Sequence, residues 1–286
     1  MDLEWLFTLS GEDIAGRSKM YDAIKERAKE LLSSGEIKGF LALKKENGQI
    51  KPHLFVSPDE VDQLSIGDGV RAGDARYPLS RILTTLLQNH SEASFGILVR
   101  GCDQRALRAL AAWNQISLEQ VVVIGVACSE ELARSCNCGL PYPDEWLEGE
   151  KTEPKDPRPV EWEEKPPLQR FKDWRAEFEK CIKCYGCRNI CPMCFCKECS
   201  LESEDVVAKG EIPPDIPMFH LVRALHMIGR CVDCGLCEQA CPANIPLRAL
   251  YKKVNDIVAT RFQCRSGIEQ TEQSPLHKIA EPPAAI

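Results

Sequence analysis

The sequence has no apolar run long enough to cross a bilayer. Its longest, VVVIGVAC at 121–128, is far short of the roughly 20 residues that a membrane-spanning helix needs. It has no secretion signal at its start: MDLEWLFTLSGED carries no basic leader, no long apolar core and no twin-arginine pair, so a cytoplasmic protein is expected. Basic residues do not predominate. The 36 Lys and Arg against 43 Asp and Glu give a net charge of −7, which argues against general binding to nucleic acid or anionic membranes. No Ser/His/Asp arrangement, P-loop or paired-carboxylate motif occurs, so hydrolysis and phosphoryl transfer have no support. A G-x-G-x-x-G at a strand-to-helix turn is also missing, and with it the usual dinucleotide fingerprint.

Cysteine is what the sequence has in excess, with 16 in 286 residues. In a small secreted protein they would read as a disulfide framework. This chain has room for about two domains and is 44% hydrophobic and 28% charged, so it has core enough without staples. In reducing surroundings, metal ligation becomes the default reading of its thiols.

Residues 1–138 hold only Cys102, Cys128, Cys136 and Cys138, and their pattern is that of an α/β domain with a short parallel sheet. Residues 22–32 read as a helix, 40–43 and 50–56 as a hairpin around Asn47-Gly48, and 78–89 as a helix opened by Pro78. Residues 95–99 (FGILV), 103–113 (DQRALRALAAW) and 121–126 (VVVIGV) then read as buried strand, helix and buried strand. That is a β-α-β unit with a right-handed crossover. Cys102 and Cys128 follow its two strands at the carboxyl edge of the sheet, where such folds put their sites; the alternative for each is a small buried hydrophobe. Residues 139–170, rich in Pro, Glu and Lys, read as a linker or an extended arm that wraps a neighbour. A helix at 171–180 opens a mainly helical, cysteine-rich domain over 171–263, and 264–286 read as a flexible tail.

The one internal repeat is the most specific signal. CIKCYGCRNICP at 181–192 and CVDCGLCEQACP at 231–242 both match C-x2-C-x2-C-x3-C-P. Three thiolates at two-residue spacings cap three irons of one cubane. The fourth, followed by Pro, is expected to start a helix that leads away and to ligate the other cluster. Cluster A is therefore assigned to Cys181, Cys184, Cys187 and Cys241, and cluster B to Cys231, Cys234, Cys237 and Cys191. Zinc, which C-x2-C pairs also bind, has no use for the third cysteine and the C-P of each repeat. Helical periodicity in FHLVRALHMIGR (219–230) and after Pro246 makes the spacer far larger than that of a compact ferredoxin. The module resembles the helical dicluster ferredoxins of succinate dehydrogenase iron-sulfur subunits and heterodisulfide reductase subunits. His220 and His226, six residues apart, read as packing or hydrogen-bonding residues.

Three more cysteines, Cys194, Cys196 and Cys199 in MCFCKECS, exceed the eight places of clusters A and B. They point to a third cluster whose fourth ligand comes from the α/β domain: Cys128 in first place, with Cys102, Cys136 and Cys138 as rivals. Zinc or a non-cubane cluster at that seam stays open. Cys264 reads as a non-ligand.

The combination of RGCDQRAL, VVVIGVACS, CIKCYGCRNICPMCFCKEC and HMIGRCVDCGLCEQACP resembles the beta-subunit family of deazaflavin-linked hydrogenases and formate dehydrogenases, over about residues 70–258. The resemblance implies an iron-sulfur electron-transfer subunit of a multi-subunit anaerobic redox complex. Its partners would be a catalytic dehydrogenase or hydrogenase subunit and a heterodisulfide-reductase-like subunit. Some members carry FAD and react with the deazaflavin coenzyme. The alternative is therefore a catalytic subunit with a flavin at the carboxyl edge of the sheet, where Arg71, Arg76 and Gly101 would meet phosphate; helix entry and surface charge are their plainer roles. A non-redox scaffold holding zinc or a structural cluster is the third reading.

Overall fold

The computed structural model describes residues 21–68, 73–153, 164–208, 210–214 and 216–268. Helix α1 (Asp22–Ser34) ends where Gly35 turns left-handed at φ 75°, and leads into strands β1 (Phe40–Glu46) and β2 (Gln49–Phe55). These pair antiparallel from Phe40↔Phe55 to Glu46↔Gln49. The turn between them is the expected Asn47-Gly48, both at positive φ, the backbone that a two-residue hairpin of this twist requires. Short β3 (Leu64–Ser65) pairs with β1, followed by α2 (Leu79–Asn89), β4 (Phe95–Val99), α3 (Gly101–Ala112) and β5 (Val121–Gly125). Strands β1, β4 and β5 run parallel in the order β2-β1-β4-β5. The sheet is therefore mixed, not purely parallel, because the hairpin returns antiparallel beside β1. All five residues of β4 are buried, as expected of a central strand covered on both faces.

Helix α3 serves two cores. Its Leu107 packs with Leu83, Phe95 and Val99 on the sheet. Its Ala106, Ala109 and Leu110 pack with Phe178, Met193, Met227, Ile245 and Tyr251 of the cysteine-rich half. Small alanines on that side let the second half approach the helix backbone closely.

Residues 139–150 run across the carboxyl edge of the sheet. Cys128 N–H donates to Pro141 O at 2.9 Å, Leu147 N–H to Gly125 O at 3.0 Å and Ala127 N–H to Glu148 O at 2.9 Å. A Cβ on Gly101 would stand 2.5 Å from the carbonyl oxygens of Leu140 and Tyr142. The smallness of Gly101 thus accommodates this strap. A one-and-a-half-turn helix, α4 (Glu130–Ser135), lies beneath it, capped by the Ser129 hydroxyl.

Beyond the strap, α5 (Pro167–Phe178) begins with Pro in its first turn, earlier than residue 171, because a leading Pro lacks only an N–H that no helix bond uses. There follow one-turn α6 (Gly186–Asn189), α7 (Met218–His226), one-turn α8 (Leu236–Gln239) and α9 (Leu247–Phe262). The fourth cysteine of each repeat differs from expectation. Cys191 and Cys241 follow a short helix and do not open one; each is succeeded by Pro and a turn, and only after Cys241 does a long helix start, at Leu247. The left-handed residues Tyr185 and Gly235 launch the short helices inside the motifs, and Pro192 and Pro242 lie just beyond their ends, where a helix cannot continue.

His220 is 1% exposed and lies between Phe178, stacked at 4.4 Å, and Phe219, edge-on at 5.2 Å. Neither ring nitrogen has a hydrogen-bond partner. It is a packing residue, and desolvation holds its pKa down at about 4. The unfolded chain, with His near 6.5, takes up this proton first. Stability tied to His220 is therefore present above pH 6.5 and lost as pH falls toward 4, by about 3 kcal/mol at most. Between pH 6.5 and 5, denaturant midpoints of wild type should fall more steeply than those of His220→Leu. Parallel slopes would rule this out.

Candidate metal centre

The two C-x2-C-x2-C loops wind alike. Lys183 and Asp233, in the first gaps, have φ of 53° and 54°, and Tyr185 and Gly235, in the second, have 58° and 75°. These left-handed residues turn successive amides inward. Lys183 N–H donates to Cys181 Sγ at 3.4 Å and Gly186 N–H to Cys184 Sγ at 3.5 Å. In the second loop Asp233 N–H donates to Cys231 and Leu236 N–H to Cys234. Such N–H to sulfur bonds favour a thiolate and, in a cluster, tune its potential.

Around these loops the thiols fall into groups. Cys181 interacts electrostatically with Cys184, Cys187 and Cys241. Cys191, Cys231, Cys234 and Cys237 line one small cavity with Arg223, Arg248 and Tyr251. The two groups also interact electrostatically, Cys237 with Cys187. Desolvation pushes the Cys231 thiol up to about 12 and raises Cys234 and Cys237 well above the usual thiol range. Sulfurs in this setting ionise only beside a strong positive centre, which is what iron supplies.

Two orphaned donors support that fit. Tyr251, 1% exposed, has no partner for its hydroxyl, and Arg223, 3% exposed, has none for its Nε. Arg223 lies 5.6 Å over the Tyr251 ring. Both interact with Cys187 of the first thiol group and with Cys191, which lines the cavity of the second. Buried donors without acceptors are costly, and the sulfide and thiolate sulfurs of clusters are acceptors. The residues present therefore fit clusters bound through the two groups.

A third group lies at the carboxyl edge of the sheet. Cys128 interacts with Cys102, Cys138 and Cys136, so the structure brings it together with its three rivals. It is not among the residues lining the cavity of Cys194, Cys196 and Cys199. Desolvation pushes the thiols of Cys102 and Cys128 up to about 11 and about 12. The residue at the centre of this group is one the sequence offered only as a phosphate contact or a surface charge. Arg76 Nη1 is 3.4 Å from Cys136 Sγ, and its Nη2 is 3.8 Å from Cys102 Sγ and donates to Cys234 O at 2.7 Å. Arg76 thus ties the sheet edge to the second loop. Arg248 adds a second tie, holding both carboxylate oxygens of Asp233 (2.5 and 3.0 Å) and the carbonyl of Cys136. Arg105 adds a third, donating to Val232 O and Leu140 O at 3.1 Å each.

The flavin residues fare differently. Arg71 lies outside the described residues, Arg76 is engaged with sulfur and carbonyl, and Gly101 faces the strap. The cavity at this edge measures about 30 Å³, against the several hundred of ligand pockets. Arg76 and Gly101, as placed, do not fit a flavin. Cys264 is buried just beyond α9. Among the described residues no helix is long and apolar enough to cross a membrane.

No protein-family model matches the chain. It is 46% identical over 92 residues to the F420-dependent formate dehydrogenase subunit beta of Methanocaldococcus jannaschii, covering 32% of this chain and 24% of that protein. It is 45% identical over 107 residues to the F420-dependent formate dehydrogenase 1 subunit beta of Methanococcus maripaludis, covering 37% of this chain and 27% of that one. Both relatives are beta subunits of deazaflavin-linked enzymes, the family whose motifs the sequence resembles. The similarity spans about a quarter of the length of each.

The grouping of the thiols makes a test of ligation. In the anaerobically reconstituted full chain, Cys191→Ser should disturb the paramagnetic signal of the cluster on the second loop, and Cys241→Ser that of the first. Disturbance of each mutant's own loop would reverse the assignment.

Proposed function

We propose that this chain is an iron-sulfur relay subunit of a multi-subunit anaerobic redox complex, built on a helical dicluster ferredoxin module. One [4Fe-4S] cluster is held by Cys181, Cys184, Cys187 and Cys241, and another by Cys231, Cys234, Cys237 and Cys191. A third is held by Cys102, Cys128, Cys136 and Cys138, which changes the partners first expected of Cys128. The observation that carries the reading is the continuity of the thiol groups. Cys187 and Cys237 interact electrostatically between the first and second groups, and Arg76 bridges the second and third, with its Nη2 3.8 Å from Cys102 Sγ and donating to Cys234 O at 2.7 Å.

When bound, the clusters supply one-electron storage. The chain's own groups do the rest. Inward amides, Arg76 and Arg223 donate to sulfur, and the unpartnered Tyr251 hydroxyl is free to do so; such donors would stabilise the added negative charge of a reduced cluster and set its potential. The α3 helix and the strap cover the second and third groups in part, leaving Cys102, Cys128, Cys231, Cys234 and Cys237 half-buried. Cys184 is exposed, so the first group reaches the surface. Met218, Leu221 and Leu225 on α7 are 45%, 41% and 58% exposed and, at spacings of three and four, share one face. Such an apolar face suits a large redox partner, of the kind a catalytic formate dehydrogenase or hydrogenase subunit would be.

Two measurements test the reading. Cys102→Ser and Cys128→Ser should each lower the iron content by about four per chain; unchanged iron removes the third cluster. The isolated chain should take electrons from dithionite and return them to a viologen dye, yet show no steady turnover with formate, hydrogen, nicotinamide or deazaflavin. Turnover with stoichiometric flavin would replace the relay with the catalytic reading.

A further inference from the structure

Three cysteines belong to none of the groups above. Cys194, Cys196 and Cys199 line one cavity of about 150 Å³. The rest of its wall is strongly cationic, with Arg81, Arg188, Arg223 and Arg230, and its single carboxylate, Glu202, is held by Arg188 at 2.6 Å. Arg230 Nη1 stands 3.4 Å from Cys196 Sγ, and Arg188 hydrogen-bonds Cys199. The Arg230 guanidinium is clamped over Trp113 at 3.9 Å and Phe195 at 4.7 Å. Its Nε has no partner. Fixed guanidiniums around three thiols, one with a spare N–H, call for an anionic group that carries several acceptor atoms.

A single zinc ion does not answer that description. Tetrahedral zinc would draw its sulfurs to roughly 3.8 Å from one another and would offer no acceptor atom to the unpartnered Arg230 Nε. A cubane keeps its thiolates on outer corners, farther apart, and offers sulfide acceptors to the N–H groups. Only three thiols face this cavity. His226 also lines it but is flanked by Arg223 and Arg230.

The geometry points to a fourth iron-sulfur cluster, bound by Cys194, Cys196 and Cys199 alone, whose fourth iron faces the cavity and takes a small anionic ligand. It rests on the relay reading, because Cys194 hydrogen-bonds Cys191 and so sets this cluster beside the second-loop one. The wire thereby acquires a branch at which an exogenous ligand meets iron.

The test uses the full chain reconstituted anaerobically. Wild type should hold about sixteen irons, and Cys196→Ser and Cys199→Ser about twelve. Cyanide, as a small anionic probe, should shift the paramagnetic signal of one reduced cluster in wild type and shift nothing in either variant. A wild-type count of about twelve that both variants retain excludes the fourth cluster and leaves the three-group relay standing. A count of about eight instead removes the relay's third group as well. Zinc recovered in proportion to these thiols, or cyanide without effect on wild type, also overturns the proposal. Loss of every cluster in both variants counts against it too, since Cys196 is exposed and contributes nothing to the core.

Discussion

A thiol removed from water resists ionisation, and groups of such thiols resist it together, because each new thiolate repels the next. This constraint organises the molecule. At the sheet edge and in the second loop, desolvation raises Cys102, Cys128, Cys231, Cys234 and Cys237. The chain meets the constraint with inward-turned amides and with arginines placed between the groups. Arg76 shows why the residue must be Arg. Its planar fork reaches two sulfurs and a carbonyl at once. Burial opposes its charge, yet the surrounding thiols Cys102, Cys136 and Cys234 raise its pKa. An ammonium, with one nitrogen and a readily shifted pKa, spans no such distance and is less secure in its charge.

The same arginines explain why the two halves of the chain are not independent. Arg76, Arg105 and Arg248 all connect the α/β half or its strap to the residues of the second loop, at Cys234, Val232 and Asp233. Beneath them α3 gives one face to the sheet and its alanine face to the cysteine-rich half. Hydrogen bonds to charged groups contribute about 1.5–3 kcal/mol each, and here they also fix the distance between thiol groups. Trp113, one residue beyond α3, extends the seam by donating to Gly229 O at 3.4 Å and supporting Arg230.

Local signals in the sequence were legible and long-range ones were not. Asn47-Gly48 specified the hairpin because two positive φ values are a property of those residues alone. The apolar runs at 95–99 and 121–126 both read as buried parallel strands because neither shows polar alternation; β4 and β5 do pair in parallel, but only β4 is buried throughout, since β5 is the edge strand, with Val121 and Val122 half-buried and Val123 39% exposed. The doubled cysteine spacing announced its loops for the same reason, since the winding is local. Which thiols share a group depends instead on how the strap at 139–150 and α4 return Cys136 and Cys138 to the ends of β4 and β5. No periodicity encodes that return. Arg76 was read as a surface charge or a phosphate ligand because its partners lie as far as 158 residues away. The helix expected to begin at each C-P failed for a physical reason: the left-handed residues within the motif spend the helical turn before the fourth cysteine is reached.

Under the proposed relay reading two demands oppose each other: metal ligands are best kept from water, whereas electron exchange with a partner requires one group near the surface. The two loops differ in just this respect, despite their like winding. In the first loop Cys184 is exposed and Ile182 is 51% exposed. In the second the corresponding Val232 is 3% exposed, sealed under α3 by the Arg105 bond to its carbonyl. The difference comes from what covers each loop, not from the motif. The α/β half covers the second loop. Nothing among the described residues covers Ile182 to the same degree, and the apolar face of α7 lies open as well. A docked subunit would complete at the first loop the desolvation that α3 and the strap already provide at the second.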